Sequence, residues 1–335
     1  MRTPKLRTTR RLVAVFAGAA LVATACGSDD DAADEAPDST DAAVDETSET
    51  QPVSTEAAST DAAGGDEVAA GTPERVVSLS PTATEMMFSI DAGDLLVAVD
   101  EFSNYPSEAL ELPNELSGFE PNVEAIADFE PDLVLIGGDF TGLGDQLAQL
   151  DIESLDLPAA TSISDIYGQI EQLGETTGNI GEAAEVVSEM QTSIEEIVAD
   201  SGDSGVGLSF YHEIDATYFS ADSSTFIGEV YSLLGLTNIA DGDDSESFGF
   251  PQLNAEFIID SNPDLIFLPT GTFYFMTPEE VAARPGWDAI AAVQNDDIIP
   301  TDDEIAGRWG PRIVDYLESV AEAVAGVDAS AAAEG

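Results

Sequence analysis

Two glutamates occupy matching places in a repeated stretch of the sequence. The segment NVEAIADFEPDLVLI (residues 122–136) recurs without a gap as NAEFIIDSNPDLIFL (residues 254–268), so that Glu124 matches Glu256. Paired carboxylates are a common device of general acid–base catalysis, and a catalytic pair is one interpretation of this repeat. The alternative is that the chain consists of two similar halves, each of which presents one carboxylate to a partner.

Other features of the sequence argue against catalysis and against a bound metal ion. The sequence has neither a Gly-x-Ser-x-Gly motif nor a glycine-rich phosphate loop with a Lys, and its single Cys, Cys26, leaves no disulfide or thiolate site. The single His, His212, cannot supply the several ligands that a bare transition-metal ion needs. We therefore expect no catalytic residue, no cofactor and no directly bound metal. A structural role is favoured for His212, and contact with a ligand or with a metal that the ligand carries is the alternative.

The charge balance excludes one class of partner. The chain has 67 acidic and 9 basic residues, which gives a formal net charge of −58. Binding to nucleic acid depends on Lys and Arg, so nucleic acid is not expected as a partner. The simplest interpretation is a highly solvated surface suited to a saline habitat, where salt screens the repulsion between like charges.

The N-terminal residues indicate export. Residues 1–26 have a basic start followed by a short apolar run that ends at Cys26, the charge order of a secretory signal. The stretch LVATAC resembles the lipobox of bacterial lipoproteins, although Ala23 stands where that motif prefers Leu. The resemblance implies that Cys26 is lipidated, so that the protein is extracytoplasmic and anchored to the cell membrane. Residues 27–72 are acidic with almost no large apolar side chains, and we expect them to form a disordered tether.

Short apolar runs alternate with short helical patterns over most of the remaining chain. This alternation predicts an α/β protein with two lobes and mostly parallel sheets, over residues 73–161 and 205–327. Between the lobes, residues 162–200 have apolar residues at helical spacing and predict the connecting helix, with a short helix leading into a long one. Residues 328–335 are expected to be a flexible tail.

Three local predictions concern shorter segments. In TATEMMFSIDAG (residues 82–93), Thr82 or Thr84 is expected to cap the start of a helix. TYFSA (residues 217–221) is expected to form a strand, and WDAIAAV (residues 287–293) a helix.

Five longer segments stand in a characteristic order along the chain. They are RVVSLSPTATEMMFSIDAGDLLVAVDEFSNYP, PNVEAIADFEPDLVLI, FPQLNAEFIIDSNPDLIFL, PGWDAIAAVQNDDII and GPRIVDYLESVAEAV. As a set, they resemble the periplasmic-binding-protein family that serves iron-siderophore and vitamin B12 importers. The resemblance extends over about residues 73–327. It implies two Rossmann-like lobes joined by one long rigid helix, as in class III substrate-binding proteins, with the ligand held in the cleft between them.

The same resemblance implies a set of partners. In the family, the loaded protein docks on an ABC permease dimer driven by a cytoplasmic ATPase, and one Glu on each lobe pairs with arginines of the permease. By motif, these residues are Glu124 and Glu256. A two-fold permease offers two like sites, which two similar lobes can meet with one carboxylate each. We expect a monomer. An extracellular enzyme and a structural surface lipoprotein are the alternatives from other classes.

The ligand is expected among the loops beyond the carboxyl ends of the strands, where open α/β sheets bind their ligands. Aromatic residues in these loops suit a large, flat, partly apolar ligand, and an Arg there would offset the charge of an anionic chelate. The candidate ligand contacts are Phe102, Tyr105, His212, Tyr274, Arg308, Trp309 and Arg312. We expect a ferric siderophore first, cobalamin (vitamin B12) second and haem third. The low Arg count favours a neutral or cationic hydroxamate chelate of iron.

Overall fold

Two parallel β-sheets form the framework of the described part of the chain. The computed structural model describes residues 71–242, 247–270 and 276–334, with side chains described through residue 327. The predicted signal peptide, Cys26 and Tyr274 lie outside these ranges, as does the predicted tether up to residue 70.

The first lobe is built on a sheet whose strands, in their order across the sheet within the described residues, are Leu96–Val99, Val76–Ser78, Leu133–Ile136 and Glu153–Asp156. In chain order, its strands and helices are β1 (Val76–Ser78), α1 (Pro81–Ser89), β2 (Leu96–Val99), α2 (Val123–Ala127), β3 (Leu133–Ile136), α3 (Leu143–Ala148) and β4 (Glu153–Asp156). The pairings are parallel, with Val76 of β1 opposite Leu96 on one side and Leu133 on the other. Strands β1 and β3 are buried along their whole length, which requires helices on both faces of the sheet.

Two helices, α4 (Ile163–Thr177) and α5 (Ile180–Ser201), connect the lobes. Helix α4 begins at Ser162, whose Oγ accepts a hydrogen bond from the Asp165 backbone N–H while the Asp165 carboxylate accepts one from the Ser162 N–H. This reciprocal cap satisfies donors that a helix start leaves open. Helix α4 ends at Gly178, whose φ of 83° favours glycine. The predicted connecting region therefore consists of a shorter and a longer helix with a break at Gly178.

The second lobe repeats the strand arrangement of the first. In chain order, its elements are β5 (Ser209–His212), α6 (Phe226–Leu233), β6 (Thr237–Asn238), α7 (Ala255–Ser261), β7 (Leu265–Pro269), α8 (Pro278–Ala282), α9 (Ala291–Gln294) and β8 (Ile298–Thr301). The strand order is β6-β5-β7-β8, again parallel in the described pairings. One copy of the repeated segment forms α2 and β3, and the other forms α7 and β7. The repeat thus occupies equivalent places in the two sheets.

Two helices follow the second sheet, α10 (Asp303–Ala306) and α11 (Ile313–Glu334). Helix α11 continues through residues 328–334, where the sequence predicts a flexible tail. Within the described ranges, none of the helices combines the length and apolar character that a bilayer span requires.

Three local predictions need correction. Helix α1 is capped by Ser80 rather than by Thr82 or Thr84: the Ser80 Oγ accepts from the Ala83 N–H at 3.3 Å, and Pro81 occupies the first helical position, where no N–H is needed. The predicted strand at residues 217–221 is an irregular segment with one isolated bridge between Phe219 and Gln252, because Tyr218 has a φ of 70°. The predicted helix at residues 287–293 is a short 3₁₀ turn followed by α9.

One apolar core extends through both lobes. It contains Val76 and Leu133 from the first sheet, Phe210 and Phe267 from the second, and buried side chains of α1, α4, α5, α6 and α11. The next residue along a strand faces the other side. Tyr211, for example, belongs to a separate outer cluster of the second lobe, as Val77 does in the first lobe. The lobes are therefore held together by packing as well as by chain connection.

The close approach of α4 to α5 predicts opposite effects for two glycine substitutions in α4. A Cβ on Gly174 would lie 2.4 Å from the Ala183 Cβ, whereas a Cβ on Gly168 would meet no atom within 4 Å. We expect Gly174→Ala to lower the free energy of unfolding by about 1–3 kcal/mol through overpacking. The matched control Gly168→Ala should raise it by about 0.5–1 kcal/mol, because Ala favours a helix interior. Denaturant titrations measure both values. Equal effects of the two substitutions would contradict this account of the helix contact.

Candidate ligand-binding cleft

A cleft lies at the carboxyl ends of the strands of both sheets. A larger cavity of about 560 Å³ is lined by residues that follow β1, β2 and β3, and a smaller one of about 340 Å³ by residues at the ends of β5, β7 and β8. Asp303, Gly307 and Trp309 line both cavities, so the segment between β8 and α11 forms their common wall. The cleft lies where ligands of open α/β sheets are expected.

Aromatic side chains border the cleft from both lobes. Phe102 and Phe119 line the larger cavity in an edge-to-face contact, with ring centroids 5.7 Å apart. Phe140 also lines the larger cavity and is 94% exposed, and Phe248, which lines the smaller one, is 90% exposed. Such rings leave apolar faces available to a ligand. Sequence reasoning did not single out Phe119 or Phe248, because nothing in a single sequence separates a core aromatic from an exposed one.

Trp309 is the predicted ligand contact that is most central to the cleft. Trp309 lines both cavities, and its Nε1 donates a hydrogen bond to the Gln169 Oε1 at 3.1 Å. Gln169 belongs to α4 and donates in turn from Nε2 to the Pro158 carbonyl at 2.7 Å. These two hydrogen bonds orient the indole ring before any ligand is present.

Arg308 lines the larger cavity, but its Nη1 and Nη2 groups already donate hydrogen bonds to the first lobe. Its Nη1 donates to the Glu85 Oε1 at 2.6 Å and to the Asn104 Oδ1 at 2.9 Å, and its Nη2 donates to the Phe102 carbonyl at 3.0 Å. The side chain therefore joins the wall segment of the cleft to the first lobe, in addition to its place beside the cavity.

Arg312 and Tyr105 lie in a third cavity, of about 370 Å³, and not among the residues that line the cleft. Arg312 donates from Nε to the Glu85 Oε2 at 2.8 Å and from Nη2 to Oε1 at 2.5 Å, and its guanidinium lies 4.1 Å from the centre of the Tyr105 ring. Burial alone would lower the pKa of Arg312, but the hydrogen bonds and charge of Glu85 raise it above its usual value.

Glu85 is the residue of this region that sequence reasoning missed. Its side chain is 2% exposed and binds both Arg308 and Arg312. The sequence does contain a signal for its burial, because Glu85 stands between Thr84 and Met86, which are both buried in α1. A buried carboxylate needs cationic partners, and few arginines were available to serve as such partners.

His212 lines the smaller cavity from the end of β5 and is almost fully buried. Its Nδ1 shares a hydrogen bond with the Tyr231 hydroxyl at 2.8 Å, and that hydroxyl also contacts the hydroxyl of Tyr316. Burial lowers the pKa of His212 to about 4, so the imidazole is neutral at neutral pH. Within the described ranges, no group of three or more His, Cys, Asp or Glu residues is arranged to hold a metal ion.

Glu124 and Glu256 are exposed at equivalent positions in the two lobes. Each is the second residue of its helix, α2 or α7, and each helix is capped by an Asn: Asn122 Oδ1 accepts from the Glu124 N–H and Asn254 Oδ1 from the Phe257 N–H, both at 3.0 Å. A carboxylate is favourable at a helix N-terminus. Among the described residues, neither carboxylate has a hydrogen-bonded or ionic partner. The two glutamates therefore belong to separate lobes and do not form one catalytic pair within the cleft.

Comparison with known proteins assigns the chain to a family. An uncharacterised ABC transporter substrate-binding lipoprotein of Bacillus subtilis, YvrC, is 28% identical over 260 residues, which cover 75% of this chain and 80% of the relative. A vitamin B12-binding protein of Vibrio cholerae is 29% identical over 254 residues, covering 74% and 87%. The solved structure of periplasmic vitamin B12-binding protein BtuF of Vibrio cholerae has a TM-score of 0.64 at 25% identity, covering 77% and 98%.

The architecture predicted from the sequence, two α/β lobes with parallel sheets of the class III type, is confirmed by this structural similarity. The model of the family described as periplasmic binding protein matches residues 76–305, which is more than half of the sequence. The chain therefore belongs to the periplasmic binding protein family.

Proposed function

We propose that this protein is the substrate-binding component of an ABC importer, that it captures cobalamin in the cleft between its lobes, and that it delivers this ligand to a membrane permease. The observation that carries the proposal is the composition of the cleft. Exposed aromatic rings border it from both lobes, and Arg308, the one Arg among the described cleft-lining residues, is already held by Glu85. Such a surface suits a large ligand with apolar faces and little net negative charge.

The size and polarity of the cleft favour cobalamin over the other candidates. The two adjoining cavities can contact a ligand much larger than an amino acid or a simple ion. Cyanocobalamin has no net charge and has a broad ring system surrounded by amide groups, whereas haem has two carboxylates that call for cationic partners. The relative and the solved structure named for vitamin B12 support the same choice.

A ferric hydroxamate is the second candidate. It was the first expectation from the sequence, and the pairing of Arg308 with Glu85 favours neutral or cationic hydroxamates over anionic siderophores. The cleft, however, has broad aromatic borders that a compact hydroxamate complex would fill less completely than a corrin ring.

The membrane attachment and the docking residues complete the proposal. The lipobox-like stretch at Cys26 supports lipid anchoring to the extracytoplasmic face of the cell membrane. The acidic residues 27–72 would then act as the tether. The equivalent, exposed positions of Glu124 and Glu256 support their assignment as the two permease contacts. The binding proteins among the relatives support a transport role and not catalysis.

Ligand titrations followed by tryptophan fluorescence test the proposed ligand. The protein has two tryptophans, Trp309 in the cleft and Trp287 in the outer core of the second lobe. We expect cyanocobalamin to quench the emission with a Kd below about 1 µM. The variant Trp309→Phe should show a smaller signal change, because Trp309 lines the cleft and the buried Trp287 is not among its described lining residues.

Ferrioxamine B, ferrichrome and haemin serve as competitors in the same titration. Binding of a hydroxamate without binding of cyanocobalamin would replace the first candidate by the second. Binding of haemin alone would contradict both.

A further inference from the structure

One buried carboxylate, that of Glu85, forms ion pairs with two arginines, of which Arg308 lines the cleft and Arg312 does not. Glu85 lies in α1 of the first lobe, and Arg308 and Arg312 lie on the segment that leads from the second sheet into α11. The contacts at 2.6 and 2.5 Å are short, charge-assisted hydrogen bonds. Glu304 lies 3.9 Å from the Arg308 Nη2 and accepts from the Asn104 Nδ2 at 2.9 Å. The positive charge of Arg308 is therefore directed toward protein carboxylates.

The remaining charged residues of the cleft wall are acidic. Among the described residues that line the larger cavity, Asp100, Asp303 and Glu304 are acidic and Arg308 is basic, and Asp303 also lines the smaller cavity. Asp100 is buried and accepts a hydrogen bond from the Ser103 Oγ at 2.5 Å. Burial raises the pKa of Asp100, and the hydrogen bond from Ser103 and the charge of Arg308 partly offset that rise. The wall therefore has more acidic than basic groups.

We propose that Glu85 is a specificity-determining residue, which withdraws Arg308 from the ligand and so makes the cleft select against ligands with net negative charge. This inference rests on the proposed function and specifies its ligand class: neutral and cationic chelates are accepted, and chelates with free carboxylates are rejected. An unpaired Arg308 would instead attract such carboxylates, because a guanidinium binds them through two parallel hydrogen bonds. Discrimination by like charge is a common source of specificity.

The native protein gives the first test, with two ligands of nearly equal shape. Cyanocobalamin is compared with its monocarboxylic acid, in which one side-chain amide is hydrolysed to a carboxylate. We expect the acid to bind at least about tenfold more weakly, which corresponds to about 1.4 kcal/mol. Equal or tighter binding of the acid overturns the inference while leaving the proposed function intact.

A second ligand pair separates failure of the inference from failure of the proposed ligand. If neither cobalamin binds, cobalamin is not the ligand, and the comparison is made between ferrioxamine B and its derivative with the free amine succinylated. The same tenfold preference, for the cationic chelate, is expected there, and equal binding overturns the inference. Binding of neither pair overturns the proposed function and the inference together.

Substitution of Glu85 tests whether this residue sets the preference. Glu85→Gln keeps the size of the side chain but leaves a positive charge at Arg308, so the ratio of the two Kd values should fall by about tenfold toward unity. The matched control is Glu213→Gln. Glu213 is also buried and binds Arg284 through two hydrogen bonds of 2.6 and 2.7 Å, but neither residue lines the described cleft.

The Glu213→Gln control should keep the native ratio of the two Kd values. A folded Glu85→Gln variant with the native ratio, or an equal change in Glu213→Gln, overturns the inference. If Glu85→Gln does not fold, Asp303→Asn, a change at a half-buried residue of the wall, should lower the ratio at least about threefold by removing one negative charge. An unchanged ratio in Asp303→Asn then overturns the inference.

Discussion

Replacing Glu124 and Glu256 together by Ala should lower transport of the bound ligand by about 30-fold or more while leaving the ligand Kd unchanged. Both carboxylates are exposed at the first turns of α2 and α7, and neither has a hydrogen bond or ion pair within the described part of the chain. Their removal therefore costs the folded protein little. Removing one partner of a charge pair that is buried and hydrogen-bonded in an interface commonly costs about 2–5 kcal/mol of binding free energy. Uptake into cells or proteoliposomes that contain the permease measures the effect.

The repeat supplies a control with the same change in net charge. Asp128 and Asp260 also match each other between the two copies, and both are exposed at the other ends of α2 and α7. The double variant Asp128→Ala and Asp260→Ala should transport ligand at close to the native rate. Equal loss in the two double variants would mean that overall acidity, and not these two glutamates, governs the encounter with the permease.

The fold was largely predictable because it depends on local apolar patterns. Buried parallel strands appear as short continuous apolar runs such as LVLI and LIFLP, and the repeat marks the equivalent place in each lobe. The wrong local predictions concern positions where the backbone geometry, and not the apolar pattern, determines the structure. Tyr218 adopts a left-handed conformation inside an apparent strand, and the Ser80 hydroxyl, rather than that of a nearby Thr, accepts a hydrogen bond from the Ala83 N–H at the start of α1.

The candidate site was predictable in its location but not in its pairings. The rule for open α/β sheets places the cleft at the carboxyl ends of the strands, and Trp309, Arg308, Phe102 and His212 all line it. The contact between Glu85 and Arg308 joins residues 223 positions apart, which no local pattern reports. In the sequence, Arg308 looks available to a ligand. In the folded chain, it is paired with Glu85.

Trp309→Ala should weaken ligand binding by about 30-fold or more, because central aromatic anchors contribute about 2–4 kcal/mol at binding surfaces. Trp309 lines both cavities, so loss of its side chain should remove contact with either half of a ligand that fills the cleft. The hydrogen bonds through Gln169 hold the ring in place beforehand, which limits the entropy lost on binding. Isothermal titration calorimetry, which does not depend on the tryptophan signal, measures the Kd.

Two further variants separate a ligand contact from a structural role for Trp309. Trp309→Phe retains an aromatic face without the hydrogen bond to Gln169, and its Kd should lie between those of the native protein and the Ala variant. Tyr105→Ala removes an exposed aromatic residue of the third cavity, outside the cleft, and should leave the Kd within about twofold. If Tyr105→Ala weakens binding as much as Trp309→Ala, the ligand occupies the third cavity and not the cleft. The thermal unfolding midpoint of each variant shows whether a loss of binding reflects loss of the fold.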